Sequence, residues 1–461
     1  MATTETKLKV TAPIQVDEAE ATRPFNIGRI LRLSTFQIGS AMADILTAGV
    51  WNRILISDFG IPAWPVGLLL ALKYFLAPVS LWVGNRSDNL PFLGWHRTSY
   101  IWLGRSLLLL SFPLLGASTV MLEQDTTDPL GWLVAILCFS LYSIGIVLSG
   151  SPYLALVRDS APKSKQGVAI GIVEVMLISM FPIMAIVFSR MLVTYDAALF
   201  WRLLLFVMVV AGFFWFFSVV GAEKENRRWL AAREISQRVD LRKTFRLIWG
   251  DGRTRRFFLF LFVATFSAWM QDNVLEPYGA EVFGWDVART TRLTSYWGTA
   301  TVVVLIASLI IWRKRRPEEQ TKPSRVGLLI MAAGMGMLVA SAASVNSSIF
   351  LSGLIIFGAG FGLYTFGGLS LMVAMSPDPH SGAYLGLWTV AILVPKGLGT
   401  LMGGVIRDVM LALGSTLEAT YGSIFAISAA GLIIAAVLVS GVDVIGFVRD
   451  TDNSKQRLEQ R

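Results

Sequence analysis

Cysteine and histidine are nearly missing from this chain. Cys138 is the only cysteine and lies in an apolar run, so no disulfide can close within the chain and no metal site can be built on cysteines. The two histidines, His96 and His380, fall in hydrophilic stretches between apolar runs, so no histidine is available as a ligand inside a membrane. Charge is scarce as well, with Asp, Glu, Lys and Arg making up 15% of 461 residues. A P-loop, a dinucleotide fingerprint and a nucleophile elbow are absent. The chain is therefore expected not to be an enzyme. The polar, mixed-charge segment Met1 to Asn26 has no apolar core and no small-residue cleavage site, so no secretory signal is expected.

Apolar surface is what the chain has in abundance. Hydrophobic residues make up 54% of it and its mean hydropathy is +0.61. Many apolar runs approach ~20 residues, the length a helix needs to cross hydrocarbon. The class is an all-α polytopic membrane protein of about twelve spans. By hydropathy they lie near 34–57, 64–84, 98–121, 130–154, 167–190, 200–221, 256–279, 291–312, 326–344, 349–373, 382–406 and 420–446. The domain reading is a 1–33 N-terminal arm, a 34–221 six-helix bundle, a 222–255 linker, a 256–446 six-helix bundle and a 447–461 tail.

The net charge of +9 does not point to nucleic acid, because the bases gather in a few inter-helix loops. They sit in the arm (Lys7, Lys9, Arg23, Arg29, Arg32), at Arg86 and Arg97, at Arg158, Lys163 and Lys165, and from Lys224 to Arg256. Further bases run from Arg313 to Arg316, with Lys322 and Arg325, and occupy the tail at Arg449, Lys455, Arg457 and Arg461. Twelve crossings put all of these on one side, while Glu123, Asp125, Asp128, Asp196 and Glu418 fall on the other. This is the positive-inside pattern, and it predicts cytoplasmic termini. The linker mixes Trp229, Ile235, Leu241, Phe245, Leu247 and Ile248 with arginines, which predicts an amphipathic helix on the anionic inner leaflet.

The chain also repeats itself. Residues 161–172 (APKSKQGVAIGI) and 376–387 (SPDPHSGAYLGL) align Pro162, Gly167 and Gly171 with Pro377, Gly382 and Gly386. A weaker echo pairs AMADIL with WMQDNVL and so Asp44 with Asp272. Six helices plus six helices is the two-halved transporter layout, with a site at the interface of the halves.

The most informative stretch is 269–284, WMQDNVLEPYGAEVFG. It follows an apolar run, yet holds Gln271, Asp272, Asn273 and Glu276. Continuous helical spacing would place Asp272 and Glu276 on one face, with Trp269 a turn earlier. Pro277 and Gly279 are expected to disturb the helix near a membrane boundary. Intramembrane ionisable groups face a cavity or a partner, so the stretch reads either as a polar seam between helices or as the lining of a site. Asp44, Lys73, Arg105, Glu174 and Lys396 also fall within spans. They read either as structural ion pairs, with Asp44 and Lys73 one candidate, or as a proton or substrate relay.

Residues 84–88 (GNRSD), with Arg97 opening the next span, resemble the major facilitator superfamily loop G-x-x-x-D-R-x-G-R. Here that loop is stretched by Asn89 to His96, and Asn89 stands where a base usually follows Asp88. Gly84, Asp88 and Arg97 are the candidate cytoplasmic gate. Residues 154–171 resemble the superfamily's fourth-to-fifth helix loop. The strings QDNVLEPYGAEVFG, TTRLTSYWG (290–298), GVWNRILISDFGIPAWPVGLLLAL (49–72) and GNRSDNLPFLGWHRTSYIWLG (84–104) resemble the PucC/LhaA-type proteins, the bacteriochlorophyll delivery branch of that superfamily. The resemblance covers roughly residues 25–445.

The resemblance implies a light-harvesting complex assembly factor in the photosynthetic membrane of a phototroph, whether intracytoplasmic, thylakoid or plasma membrane. It implies handling of chlorophyll or bacteriochlorophyll as cargo. Antenna polypeptides and pigment-synthesis enzymes are the implied partners alongside the lipid membrane, with no nucleic acid. Trp269, Gln271, Asp272, Asn273 and Glu276 are the candidate pigment-contacting residues. No intrinsic metal is expected, and Asp272 or Glu276 is the candidate ligand for a pigment's magnesium. The competing readings are a proton-coupled carrier of a small solute and a pigment-free assembly scaffold.

Overall fold

A computed structural model describes residues 24–90, 93–162, 165–223, 249–312, 316–376 and 381–459. The linker expected as an interfacial helix falls mostly at 224–248, outside the described residues.

The first half begins with a short amphipathic helix, α1 (Ile27–Ser34), capped by the Asn26 side chain on the Arg29 N–H. Next comes α2 (Phe36–Asp44), which continues in wider turns over Ile45–Trp51 and Ile54–Asp58. In those turns the N–H groups of Asn52 and Phe59 reach back five residues, to Thr47 and Ile54. Such widened turns concentrate at functional sites. The second crossing is split into α3 (Ala63–Phe75) and α4 (Ala77–Asn89). The split precedes Pro78, whose missing N–H removes a rung of the ladder. Four long helices complete the half: α5 (Thr98–Gln124), α6 (Pro129–Asp159), α7 (Gln166–Met191) and α8 (Ala197–Val219).

The second half opens with α9 (Gly252–Trp269), a turn at 270–274, α10 (Leu275–Phe283) and α11 (Val287–Thr291). It continues with α12 (Leu293–Trp312), α13 (Thr321–Ser344), α14 (Ser347–Ala374), α15 (Ser381–Ala412), α16 (Leu417–Ser440) and α17 (Val444–Glu459). Among the described residues, ten helices are long and apolar enough to cross a membrane. The two remaining crossings are the first of each half, α2 with its widened turns and the α9–α10 pair. Both are interrupted and carry the densest intramembrane polar groups.

The seventh crossing departs from expectation. It is not a continuous helix disturbed at Pro277 and Gly279. It breaks earlier, at 270–274, and Pro277 sits in the first turn of α10, where an N–H would have no partner in any case. The spacing argument that stacked Asp272 over Glu276 on one face therefore fails, since Asp272 lies in the turn and Glu276 in α10.

Each half has its own apolar core, one built from residues between Ile30 and Ala222 with Val287 added, the other from Phe257 to Phe447. Within the second, α13 and α14 touch backbone to backbone. A Cβ at Gly327 would stand 2.5 Å from the Tyr364 nitrogen, and one at Gly360 2.5 Å from that of Met331. Small residues allow this approach where apolar lipid supplies no other drive for helix association. Three acidic residues of the loops opposite the basic ones are helix caps. Asp128, Asp196 and Asp286 accept N–H bonds from the first turns of α6, α8 and α11. These carboxylates fill donors that have no intrahelical partner and favour the positive end of the helix.

Candidate functional site

The halves meet along α3 against α15 and α7 against α12. A set of hydrogen bonds joins the two halves at the end opposite the basic loops. Asn52 Nδ2 donates to the Asn273 carbonyl at 3.1 Å, and Asn273 Nδ2 donates to the Ala63 carbonyl at 2.9 Å. Arg53 Nη2 donates to the Trp285 carbonyl at 3.1 Å, and Arg53 also pairs with Asp58. Ala288 N–H donates to the Val193 carbonyl at 3.1 Å, and Arg292 Nε to Ser189 Oγ at 3.0 Å. The Asp408 carboxylate accepts from the N–H groups of Ala63 (3.0 Å) and Trp64 (2.7 Å), capping α3 from the other half. Arg407 fixes Asp408 at 2.9 Å and Glu281 at 2.6 Å, and the Tyr421 hydroxyl also donates to Glu281 at 2.6 Å.

Asn273 explains the break in the seventh crossing. The turn exposes its carbonyl to Asn52 while its side chain wedges between α3 and α15. A Cβ at Gly67 or Gly404 would stand 2.5 or 2.6 Å from Asn273 Nδ2, so both positions need glycine to make room.

The charges at mid-bundle lie between the halves, nearer the basic end than this seam. Lys73 Nζ sits 2.6 Å from Asp44 Oδ1, which also accepts from the Tyr142 hydroxyl at 3.1 Å. Lys73 is buried, while the Asp44 side chain is 34% exposed. In the other half, Lys396 Nζ lies 3.4 Å from the Trp269 ring centre and 4.8 Å from that of Tyr74. Lys73 Nζ lies 5.0 Å from the same Tyr74 ring, so Tyr74 separates the two ammonium groups. Asp272 Oδ2 accepts from Thr400 Oγ1 at 3.3 Å. Asp44, Tyr74, Trp269, Asp272 and Lys396 are all half-buried, and so front a space between the halves.

The residues singled out in 269–276 therefore divide. Trp269 and Asp272 face this space. Gln271, Asn273 and Glu276 are buried, at 3%, 0% and 4% exposure. Asn273 belongs to the seam, and Glu276 Oε1 accepts a long 3.4 Å bond from Thr294. Arg105 is buried with its guanidinium 4.3 Å from the Phe36 ring and 4.8 Å from that of Trp215. Glu174 is half-buried on α7. No group of three His, Cys, Asp or Glu able to hold a metal occurs among the described residues. Tyr74, Tyr142, Thr400 and the 407–408 pair were not singled out from sequence. Their signal was weak, since tyrosine and threonine are common in spans and the 407–408 pair read as a span end.

The loop at the basic end ties together within the first half. Gly84 packs against Ser151, and Arg97 pairs with Asp159, the last residue of α6, at 2.7 Å. The side chain of Asp88 lies outside the described residues. Glu223 accepts from three successive N–H groups, those of His96 (2.6 Å), Arg97 (3.2 Å) and Thr98 (2.8 Å), and so caps α5 from the end of α8. Burial works to raise the Glu223 carboxyl, but the N–H bonds hold it below its ordinary value. A group depressed in this way stabilises the fold above its unfolded pKa, about 4.3 for glutamate, and loses that contribution as pH falls through the lower folded value. Acidification below about pH 4 is expected to lower the thermal midpoint of the purified protein through this joint. Glu223→Gln should flatten that part of the pH dependence, and an unchanged acid limb in the variant would count against the assignment.

Residues 50–447 match the family described as PUCC protein. "Protein PucC" of Rhodovulum sulfidophilum is 29% identical over 400 residues, covering 84% of this chain and 87% of that protein. The "Bacteriochlorophyll synthase 44.5 kDa chain" of Rhodobacter capsulatus is 26% identical over 435 residues, covering 90% and 95%. Among solved structures, a D-xylose-proton symporter superposes with a TM-score of 0.70 at 15% identity, covering 90% of this chain and 98% of that one. The symporter likeness shows that the two chains share a fold. By the family match across most of its length, this chain is an integral membrane protein belonging to the PUCC protein family.

Proposed function

We propose that this protein is an assembly factor for light-harvesting complexes, which binds chlorophyll or bacteriochlorophyll between its halves and hands it to membrane apoproteins. The names of its relatives, PucC and a bacteriochlorophyll synthase chain, support the pigment. The observation that carries the reading is Asp272, a half-buried carboxylate between the halves with one oxygen on Thr400 and the Trp269 ring nearby. Magnesium takes oxygen ligands, so Asp272 would reach the metal of a bound pigment directly or through a water. A flat apolar ring would stack on the Trp269 ring and enter sideways from lipid. The basic end would face the cytoplasm by the positive-inside rule and meet antenna polypeptides or pigment-synthesis enzymes there, in a photosynthetic membrane.

Asp272→Ala is expected to lower pigment per protein, read by absorbance, several-fold while leaving the protein level by immunoblot near wild type. Normal pigment occupancy in the variant would refute the site, and loss of protein with unchanged pigment per molecule would make Asp272 structural. A second reading, a proton-coupled carrier, draws on the inter-half hydrogen bonds gathered at the end opposite the basic loops, an arrangement that would hold a bundle closed on that side. It requires pH-dependent uptake that loses coupling when Asp44 or Asp272 is neutralised.

A further inference from the structure

We infer that the cargo of the mid-bundle site carries a free carboxylate on its flat apolar ring, and that Lys396 is the residue that holds it. The inference rests on the pigment reading above and narrows the bound form to the free acid of the pigment, held before its acid side chain is esterified with the apolar tail.

The two lysines at this level are differently provided for. Lys73 is neutralised by Asp44 at 2.6 Å, and Tyr142 holds that carboxylate in place. Lys396 makes no ion pair and no hydrogen bond among the described residues. Its ammonium rests against two ring faces, Trp269 at 3.4 Å and Tyr74 at 4.8 Å. Ring faces attract a cation, but they leave its three N–H donors without oxygen acceptors. An ammonium whose donors meet no oxygen of the protein is open to an arriving anion. Asp272 acts on Lys396 through space, yet it lies beyond ion-pair distance and its one hydrogen bond comes from Thr400. It offsets the charge without filling the donors.

The surroundings specify the rest of the ligand. Trp269 meets Trp297 and Phe361 edge-on, with centroids 6.5 and 5.9 Å apart, and Trp297 meets Phe361 at 6.0 Å. All three rings are half-buried, so an aromatic wall stands beside the ammonium. Among the described residues, the other two cations singled out within the spans are already provided for. Lys73 is already paired, and Arg105 is buried between Phe36 and Trp215 in the first half. One free ammonium beside one aromatic wall fits a tetrapyrrole bearing one acid side chain better than its esterified form, which offers no anion.

The test uses the full-length protein purified in detergent and two probes differing in one group, chlorophyllide a and its methyl ester, titrated by absorbance and fluorescence. The free acid is expected to bind about tenfold or more tightly than the ester, the range of a charge-assisted hydrogen bond. Lys396→Met should erase that preference, so that acid and ester bind alike, and Lys396→Arg should keep most of it. Equal binding of acid and ester by wild type, a comparison that needs no variant, would overturn the inference while leaving pigment binding intact. Retention of the acid preference in Lys396→Met would overturn the assignment to this residue. Binding of neither probe to the folded protein would overturn both the inference and the pigment reading beneath it.

Discussion

Arg407→Met is expected to cost more stability than any other single substitution in the seam between the halves. Arg407 is 7% exposed and holds Glu281, Asp408 and the Tyr421 hydroxyl at once. Removing one partner of a buried pair leaves an uncompensated charge, a loss of about 3–5 kcal/mol. Two carboxylates would lose their counter-charge, leaving Asp408 with only the α3 N–H groups and Glu281 with only the Tyr421 hydroxyl. The thermal midpoint in detergent should fall by many degrees. Arg407→Met combined with Glu281→Gln should recover part of the loss, since neighbours in one network are not additive. A single variant that melts with wild type would show that the seam does not depend on this network.

Lys73→Met comes second. It leaves Asp44 with only the Tyr142 hydroxyl. A third of the Asp44 side chain is exposed, so the cost is discounted from the fully buried case to about 2–3 kcal/mol. Asp44→Asn with Lys73→Met should restore most of the protein level in membranes, because it removes the stranded charge. If the double variant accumulates no better than Lys73→Met alone, the pair is not what Lys73 contributes.

The sequence disclosed the gross architecture because hydropathy is a local property. Ten crossings stand out as apolar helices, and the two that do not are the ones with the conspicuous polar residues, around Asp44 and around Asp272. The Asp44–Lys73 pair was among the candidates because a buried charge needs a partner and each lies mid-span. The break at 270–274 was not legible. Pro277 and Gly279 are the local signals and they pointed too far along the chain. The actual cause is Asn273, which serves Asn52 and Ala63 in the other half, 221 and 210 residues away. The Asp408 cap on α3 spans 345 residues, and the Arg407–Glu281 contact spans 126. No spacing rule reaches that far. Within 269–276, the sequence marked the density of polar groups but not their orientation. The turn directs Trp269 and Asp272 to the space between the halves and sends Gln271, Asn273 and Glu276 inward.

The central claim is that a tetrapyrrole pigment sits between the halves, and the visible absorption of the protein purified from pigment-making membranes tests it most directly. The account predicts a chlorophyll-type band that copurifies with the protein and is much weaker in Asp272→Ala. A well-folded wild-type protein with no visible band would contradict it.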